Sequence, residues 1–167
     1  TNFGPIAWTA TKDGDLYYDD DSQDPAAAKL INGITEIQPG ESVIVLVDQA
    51  TAIPTFQNVW SPDYNLTGVQ IGWTAGSGLG QGGDAVTLFV GIPAVNSIAD
   101  YEAYPAAPSG LSWDVVKNDF SVAGAGLVQL GTNIAVATTA TAGVDGLEPA
   151  VGSPGNKGPI MVAHQYD

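Results

Sequence analysis

Two uninterrupted apolar runs, each preceded by turn residues, constrain the fold of this chain more than any other feature. The first run, 43–47, follows Pro39-Gly40, and the second, 85–89, follows the glycine tract Gly76–Gly83. Both have the length of a β-strand, and the turn residues ahead of them fix where strand pairing begins. The pattern predicts buried strands at 42–47 and 85–90. No candidate reaction centre lies near either run.

The chain has 167 residues, the size of one domain that buries about two-thirds of its unfolded surface. It contains 21 glycines and 11 prolines beside 44% hydrophobic residues. Helix interiors exclude glycine and proline, whereas turn-rich β proteins use them between strands. The composition therefore predicts a single all-β domain that folds without a disulfide or a structural metal.

Charge and cysteine content exclude several classes of function. Four lysines, no arginine and 18 acidic residues give a formal net charge of −14, which repels phosphate backbones and argues against nucleic-acid binding. The absence of cysteine removes disulfides, thiol nucleophiles and thiolate metal sites together. No apolar stretch approaches the ~18 residues of a membrane span. The chain starts at Thr1 rather than Met, as expected of a processed or trimmed start.

Periodicity predicts the remaining elements. One helical face formed by Ile53, Phe56, Val59 and Trp60 predicts a short helix near residues 50–60, with Pro54 in its first turn. A half-buried strand is expected at 69–73, with Val69, Ile71 and Trp73 on one face. Shorter strands are expected around Ile6–Trp8 and at 98–104, 127–130 and 134–138, and a second helix is an option at 111–116.

Several segments, taken in order, resemble the bacterial-type lamin-tail family. They are Tyr17–Ser22, Asn32–Ile34, Pro39–Leu46, the helix ending in Trp60, Gly82–Phe89 and Gly152–Gly155. The resemblance covers residues 16–155 and implies an immunoglobulin-like β-sandwich. It also implies a role in attachment and interaction on secreted or surface proteins.

The amino-terminal part departs from that family. Its members usually carry two strands, with a pattern like Glu-Trp-Ile-Glu-Ile, before the aspartate-rich loop, whereas only fifteen residues precede Leu16 here. A sandwich that lacks a strand exposes backbone groups that another segment must cover. We therefore divide the chain into a sandwich at 1–157 and a carboxy-terminal strand or tail at 158–167. The tail either completes the sandwich of its own chain or is exchanged with a neighbour.

Candidate binding residues are mostly aspartates. Carboxylates are the hard oxygen ligands that calcium prefers, and a cluster of them lies at 13–24, namely Asp13, Asp15, Asp19, Asp21 and Asp24. The spacing is not that of an EF-hand, and the alternative is a solvated loop in which aspartates cap turns. Four tryptophans, Trp8, Trp60, Trp73 and Trp113, form either a glycan-binding platform or core.

Catalytic constellations are not found. The glycine pattern at 78–83 matches a dinucleotide fingerprint but precedes a strand rather than a helix, so it is interpreted as a hairpin loop. His164, the only histidine, lies close to the chain end. We predict a non-enzymatic extracellular or cell-surface structural or adhesive subunit, which associates with itself or with other surface proteins through shared β-strands. The alternative is a calcium- or glycan-binding module of a larger secreted protein.

Overall fold

The chain folds mainly into strands, as its composition predicts. A computed structural model describes residues 1–61, 65–80, 82–106, 111–114, 119–122, 138–143 and 149–152. Among these residues, the α-helices are α1 (Ala10–Asp13) and α2 (Ala52–Trp60), and Val95–Ser97 form a short 3-10 helix. The strands are β1 (Trp8–Thr9), β2 (Leu16–Asp19), β3 (Lys29–Leu30), β4 (Glu36–Ile37), β5 (Ile44–Val47), β6 (Ile71–Thr74), β7 (Gly83–Val90), β8 (Ile98–Pro105), β9 (Leu111–Asp114), β10 (Asp119–Val122), β11 (Thr138–Gly143) and β12 (Pro149–Gly152).

A four-stranded antiparallel sheet in the order β3-β2-β7-β8 forms the largest unit. Its centre is β7, which contains the predicted strand 85–90 and pairs with β2 on one side and β8 on the other. Side chains alternate across the sheet, so Ala85, Thr87 and Phe89 are buried on one face. The predicted strand at 98–104 is also confirmed, as β8.

A parallel pair, β5 and β6, forms a separate two-stranded sheet, and α2 connects the two strands. Parallel neighbours need a crossover of this kind because the carboxyl end of the first strand and the amino end of the second lie at opposite ends of the pair. The predicted helix is confirmed, and Pro54 is its third residue, where its missing N–H breaks no helical hydrogen bond. The parallel arrangement was not predicted.

The predicted second helix at 111–116 is wrong. Residues 111–114 form β9, which pairs antiparallel with β10 and places Trp113 opposite Phe120. A short apolar run fits a helix and a strand equally well, and pairing with β10 decides between them. The predicted strands at 127–130 and 134–138 lie outside the described residues except for Thr138, the first residue of β11. The tail 158–167 lies outside them as well.

The core lies where three strand groups meet. Buried apolar side chains come from β1, β2, β4 and the segment before β4, and are Trp8, Leu16, Tyr18, Ile31, Ile34 and Ile37. Partly buried residues of β5, of β7 and of the position before β5 pack against them, namely Val43, Val45, Val47, Leu88 and Val90. The core therefore connects the four-stranded sheet to the β1–β4 pair and to the parallel pair.

Burial differs from expectation in two strands. All four residues of β5 are half-buried rather than buried. In β6 the buried residues are Gly72 and Thr74, whereas the apolar face with Ile71 and Trp73 was expected inside. Asn32 exchanges two backbone hydrogen bonds with Trp73, at 2.8 and 3.0 Å, and this bridge brings the segment before β4 against Gly72.

Candidate functional site

Of the two aspartates before β2, Asp13 stabilises the turn at α1. The backbone N–H of Thr9 donates to the Asp13 carboxylate at 2.9 Å, and Lys12 Nζ lies 3.2 Å from the same carboxylate. The hydrogen bond from Thr9 and the charge of Lys12 lower the pKa of Asp13. Asp15 is exposed, and its backbone carbonyl accepts from Gly91 N–H at 2.8 Å. Of the two predicted calcium ligands in this segment, Asp13 thus uses its carboxylate in local structural contacts.

The aspartates at the end of β2 and after it include two that cap the following turns. Asp19 is buried, and its Oδ2 accepts hydrogen bonds of 2.7 Å from the Ser22 hydroxyl and from the Asp24 N–H. The Asp24 carboxylate in turn accepts from Ala26 N–H at 2.9 Å. Asp21 is exposed. The Asp24 contact is an Asx-turn, and together with the Asp19 contacts it agrees with the alternative interpretation, a loop in which aspartates cap turns.

The five aspartates predicted as calcium ligands do not converge. Asp13 and Asp15 precede β2, whereas Asp19 is its last residue and Asp21 and Asp24 follow it, and a four-residue strand separates its ends by roughly 13 Å. Across the part of the chain that the structure describes, no three His, Asp or Glu side chains gather closely enough to hold a metal ion. Calcium binding stays a prediction.

The glycine tract is not a hairpin loop, because the strands that flank it, β6 and β7, belong to different sheets. Side chains of the four-stranded sheet hold the tract in place. The Tyr18 hydroxyl donates to Ser77 O at 2.9 Å, and the Tyr104 hydroxyl donates to Gly80 O at 3.1 Å. The Asp84 carboxylate accepts from Gly80 N–H at 2.6 Å. Hydrogen bonds from three strands of the four-stranded sheet therefore hold the glycine tract against that sheet.

Burial and nearby acidic charges govern the titration of both tyrosines. Burial, followed by the negative charges of Asp84 and Asp20, raises the pKa of Tyr18 to about 12. Burial and Asp84 also raise the pKa of Tyr104. Both hydroxyls therefore remain protonated and able to donate at neutral pH.

The tryptophans do not form one exposed platform. Trp8 and Trp60 are buried, and the ring of Trp60 lies 6.0 Å from that of Phe56, centroid to centroid. Trp73 is half-buried in β6, and Trp113 lies in β9. At least two of the four therefore serve as core, the alternative that sequence analysis left open. His164 lies outside the described residues.

One edge of the four-stranded sheet is long and unpaired among the described strands. The edge strand β8 has eight residues, whereas the opposite edge strand, β3, has two. The described strands that come after β8 in the chain pair with each other, β9 with β10 and β11 with β12. Tyr101, at the middle of β8, is 40% exposed. The acidic residues Asp100 and Glu102 were a signal for an edge position that sequence analysis did not use.

A second feature missed at the sequence level is a groove beside the parallel pair. Its volume is about 620 Å³, and it lies at the carboxyl end of β5, between α2 and the glycine tract. The apolar residues of its lining are Val45, Leu46, Val47, Ala52, Phe56 and Leu79. Sequence periodicity predicted α2 and β5 but not that they border a common groove, which depends on the crossover and on the path of the tract.

Comparison with known proteins identifies no relative. No protein-family model matches the chain, and neither a curated protein nor a solved structure matches it significantly. The lamin-tail resemblance accordingly depends on the residues named above. Within the described ranges, neither helix has the length and apolar character needed to cross a membrane.

Proposed function

We propose that this chain is a non-enzymatic structural or adhesive subunit, extracellular or on the cell surface, which assembles by adding a β-strand to the open edge of β8. The observation that carries the proposal is the length of that edge. One side of β8 pairs with β7, and the backbone groups of alternate residues along its eight-residue length point to the other side, where the described strands provide no neighbour. An edge of this length is a template for β-augmentation, in which an extended segment pairs with the sheet.

The tail 158–167 of a neighbouring copy is the segment that suits this edge best. Its ten residues span roughly 33 Å when extended, enough to pair along the whole of β8, which spans roughly 26 Å. Its apolar residues Ile160 and Val162 alternate with Met161 and Ala163, so either face of an added strand is largely apolar.

Charge favours the tail over a second β8 as the pairing partner. Two β8 strands paired in antiparallel fashion would bring the acidic residues Asp100 and Glu102 of both copies close together, and facing like charges destabilise a sheet. The tail contains a single acidic side chain, that of Asp167. Pairing of unlike segments also allows a chain of subunits, because each copy has one edge and one tail.

We further propose that the strands form an immunoglobulin-like sandwich. The shared core supports this arrangement, because residues of β1, β2 and β4 and of β5 pack in one cluster. In a sandwich, the inner faces of two sheets meet in such a core. The parallel pair and α2 would be additions to the antiparallel strands.

A peptide experiment tests the proposed assembly. A chain ending at residue 157 retains every described strand, so we expect it to remain folded. Adding a synthetic peptide of residues 158–167 should shift the backbone amide resonances of residues 98–105 in a saturable manner. A peptide of the same composition in scrambled order is the control. Shifts that are equal for both peptides, or that avoid 98–105, would contradict strand addition at β8.

A further inference from the structure

The groove beside α2 combines an apolar wall with a hydrogen-bond acceptor at its margin. Val45, Val47 and Phe56 line it and are half-buried, and Leu79 of the glycine tract is 45% exposed. Its volume of about 620 Å³ falls in the range of small-molecule sites. It also lies outside the carboxyl ends of two parallel strands, where ligands of sheets with helical crossovers bind.

The polar groups of the groove are an acidic side chain and two hydroxyls. Asp48 lines the groove together with Thr51 and Thr55, and all three are exposed. The Asp48 Oδ1 accepts a hydrogen bond of 2.7 Å from Gln49 N–H, which leaves Oδ2 for a ligand. Within the described ranges, the one salt bridge of a lysine joins Lys12 to Asp13. Neither residue is near Asp48 in sequence. The Asp48 carboxylate is thus not neutralised by a described cation.

The start of α2 does not favour an anion here. A helix amino terminus normally offers unpaired N–H groups to negative ligands. In this helix Ala52 N–H already donates to Gln49 O at 2.9 Å, and Ile53 N–H donates to Ala50 O at 3.2 Å. Pro54 has no N–H to offer. These donors are satisfied within the chain, and the net charge of −14 further opposes an anionic ligand.

We propose that this groove binds an organic cation whose apolar body packs against the apolar wall while its ammonium group pairs with Asp48. The apolar contact supplies most of the affinity. The carboxylate supplies selectivity for positive charge, which is modest because Asp48 is exposed and its interactions are screened by water. This site is separate from the β8 edge and does not depend on assembly.

Three aromatic probes that share a phenylethyl group but differ in charge test the proposal. They are phenethylammonium, 2-phenylethanol and 3-phenylpropanoate, titrated into the intact chain while backbone amide shifts are followed. We expect millimolar binding for compounds of this size, with shifts centred on residues 45–56 and 78–79. The ammonium compound should bind about fivefold more tightly than the alcohol, and the carboxylate should bind most weakly.

Two variants separate the local carboxylate from the overall charge. Asp48→Asn should remove the preference for the ammonium compound but keep binding of the alcohol. Asp15→Asn makes the same change in net charge at an exposed aspartate before β2 and should leave the preference intact. Equal binding of all three probes, equal effects of the two variants, or no binding at the groove would overturn the proposal.

Discussion

The hydroxyl of Tyr18 donates a hydrogen bond to the backbone oxygen of Ser77 at 2.9 Å, joining residues 59 positions apart in sequence. The Tyr18 ring also lies against Gly76, so close that a Cβ at position 76 would fall 2.5 Å from two ring carbons. Tyr18 is 4% exposed and belongs to the core, so its ring has little room to move. This contact fixes the glycine tract against the four-stranded sheet.

Substitution of Gly76 tests that contact. In Gly76→Ala the new methyl group meets the buried Tyr18 ring, and we expect a loss of about 1 to 3 kcal/mol in the free energy of unfolding. Gly78→Ala is the matched control, because a Cβ at position 78 meets no atom within 4 Å. Its effect should lie between no change and a gain of about 1 kcal/mol. Urea denaturation measures both, and equal losses would contradict the packing described.

Alkaline pH should weaken the fold through Tyr18. Its pKa of about 12 exceeds the ordinary value of 10.0, so the folded chain holds this proton more tightly than the unfolded chain does. The resulting stabilisation is complete below pH 10 and is lost as pH rises towards about 12. Tyr18→Phe should cost about 0.5 to 1.5 kcal/mol at neutral pH and lose stability less steeply over that window.

The control for this titration is Tyr101→Phe, which alters an exposed tyrosine of β8. Its stability should fall with pH as steeply as that of the unmodified chain. Unfolding by urea at several pH values between 10 and 12 gives the comparison. If the Tyr18→Phe and unmodified chains showed parallel declines, the assignment of the proton linkage to Tyr18 would be wrong.

Asp19 should contribute more to stability than its neighbours in the acidic loop. Asp19→Ala removes the acceptor of two hydrogen bonds, from Ser22 and Asp24, and we expect a loss of about 1 to 3 kcal/mol. Asp21→Ala alters an exposed side chain and should change stability by less than about 0.5 kcal/mol. Thermal unfolding of both variants distinguishes a capping carboxylate from a merely solvated one.

Calcium should leave the melting temperature unchanged relative to a chelator. The five candidate ligands lie on both sides of β2, and Asp13, Asp19 and Asp24 already accept hydrogen bonds from backbone N–H groups. A ligand that binds only the folded chain must raise its stability. A rise of several degrees in calcium, abolished by Asp21→Ala, would instead support the calcium-binding module.

Sequence patterns predicted the elements that depend on local information. The apolar run at 85–90 and the helical spacing of Ile53, Phe56 and Trp60 each indicate an element through a pattern of residue types within a short segment. The side of β6 that is buried could not be predicted this way. It depends on the bridge between Asn32 and Trp73, which joins segments far apart in sequence.

The candidate sites were harder to predict than the strands. Aspartates at 13–24 were recognised by type, but sequence spacing does not reveal that a strand places them at two separate ends. The β8 edge and the groove at Asp48 arise from the order of strands in the sheets, which is a property of pairing between distant segments. The turn residues of the glycine tract predicted a change of direction but not the sheets that it connects.

The oligomeric mass of the chain, measured by size-exclusion chromatography with light scattering, tests strand sharing most directly. We expect the full chain to form dimers or larger assemblies, and the chain ending at residue 157 to be a monomer with an unchanged circular dichroism spectrum. Adding the 158–167 peptide to the shortened chain should give a one-to-one complex. A full chain that is monomeric at all concentrations, or assemblies that persist without the tail, would contradict the account.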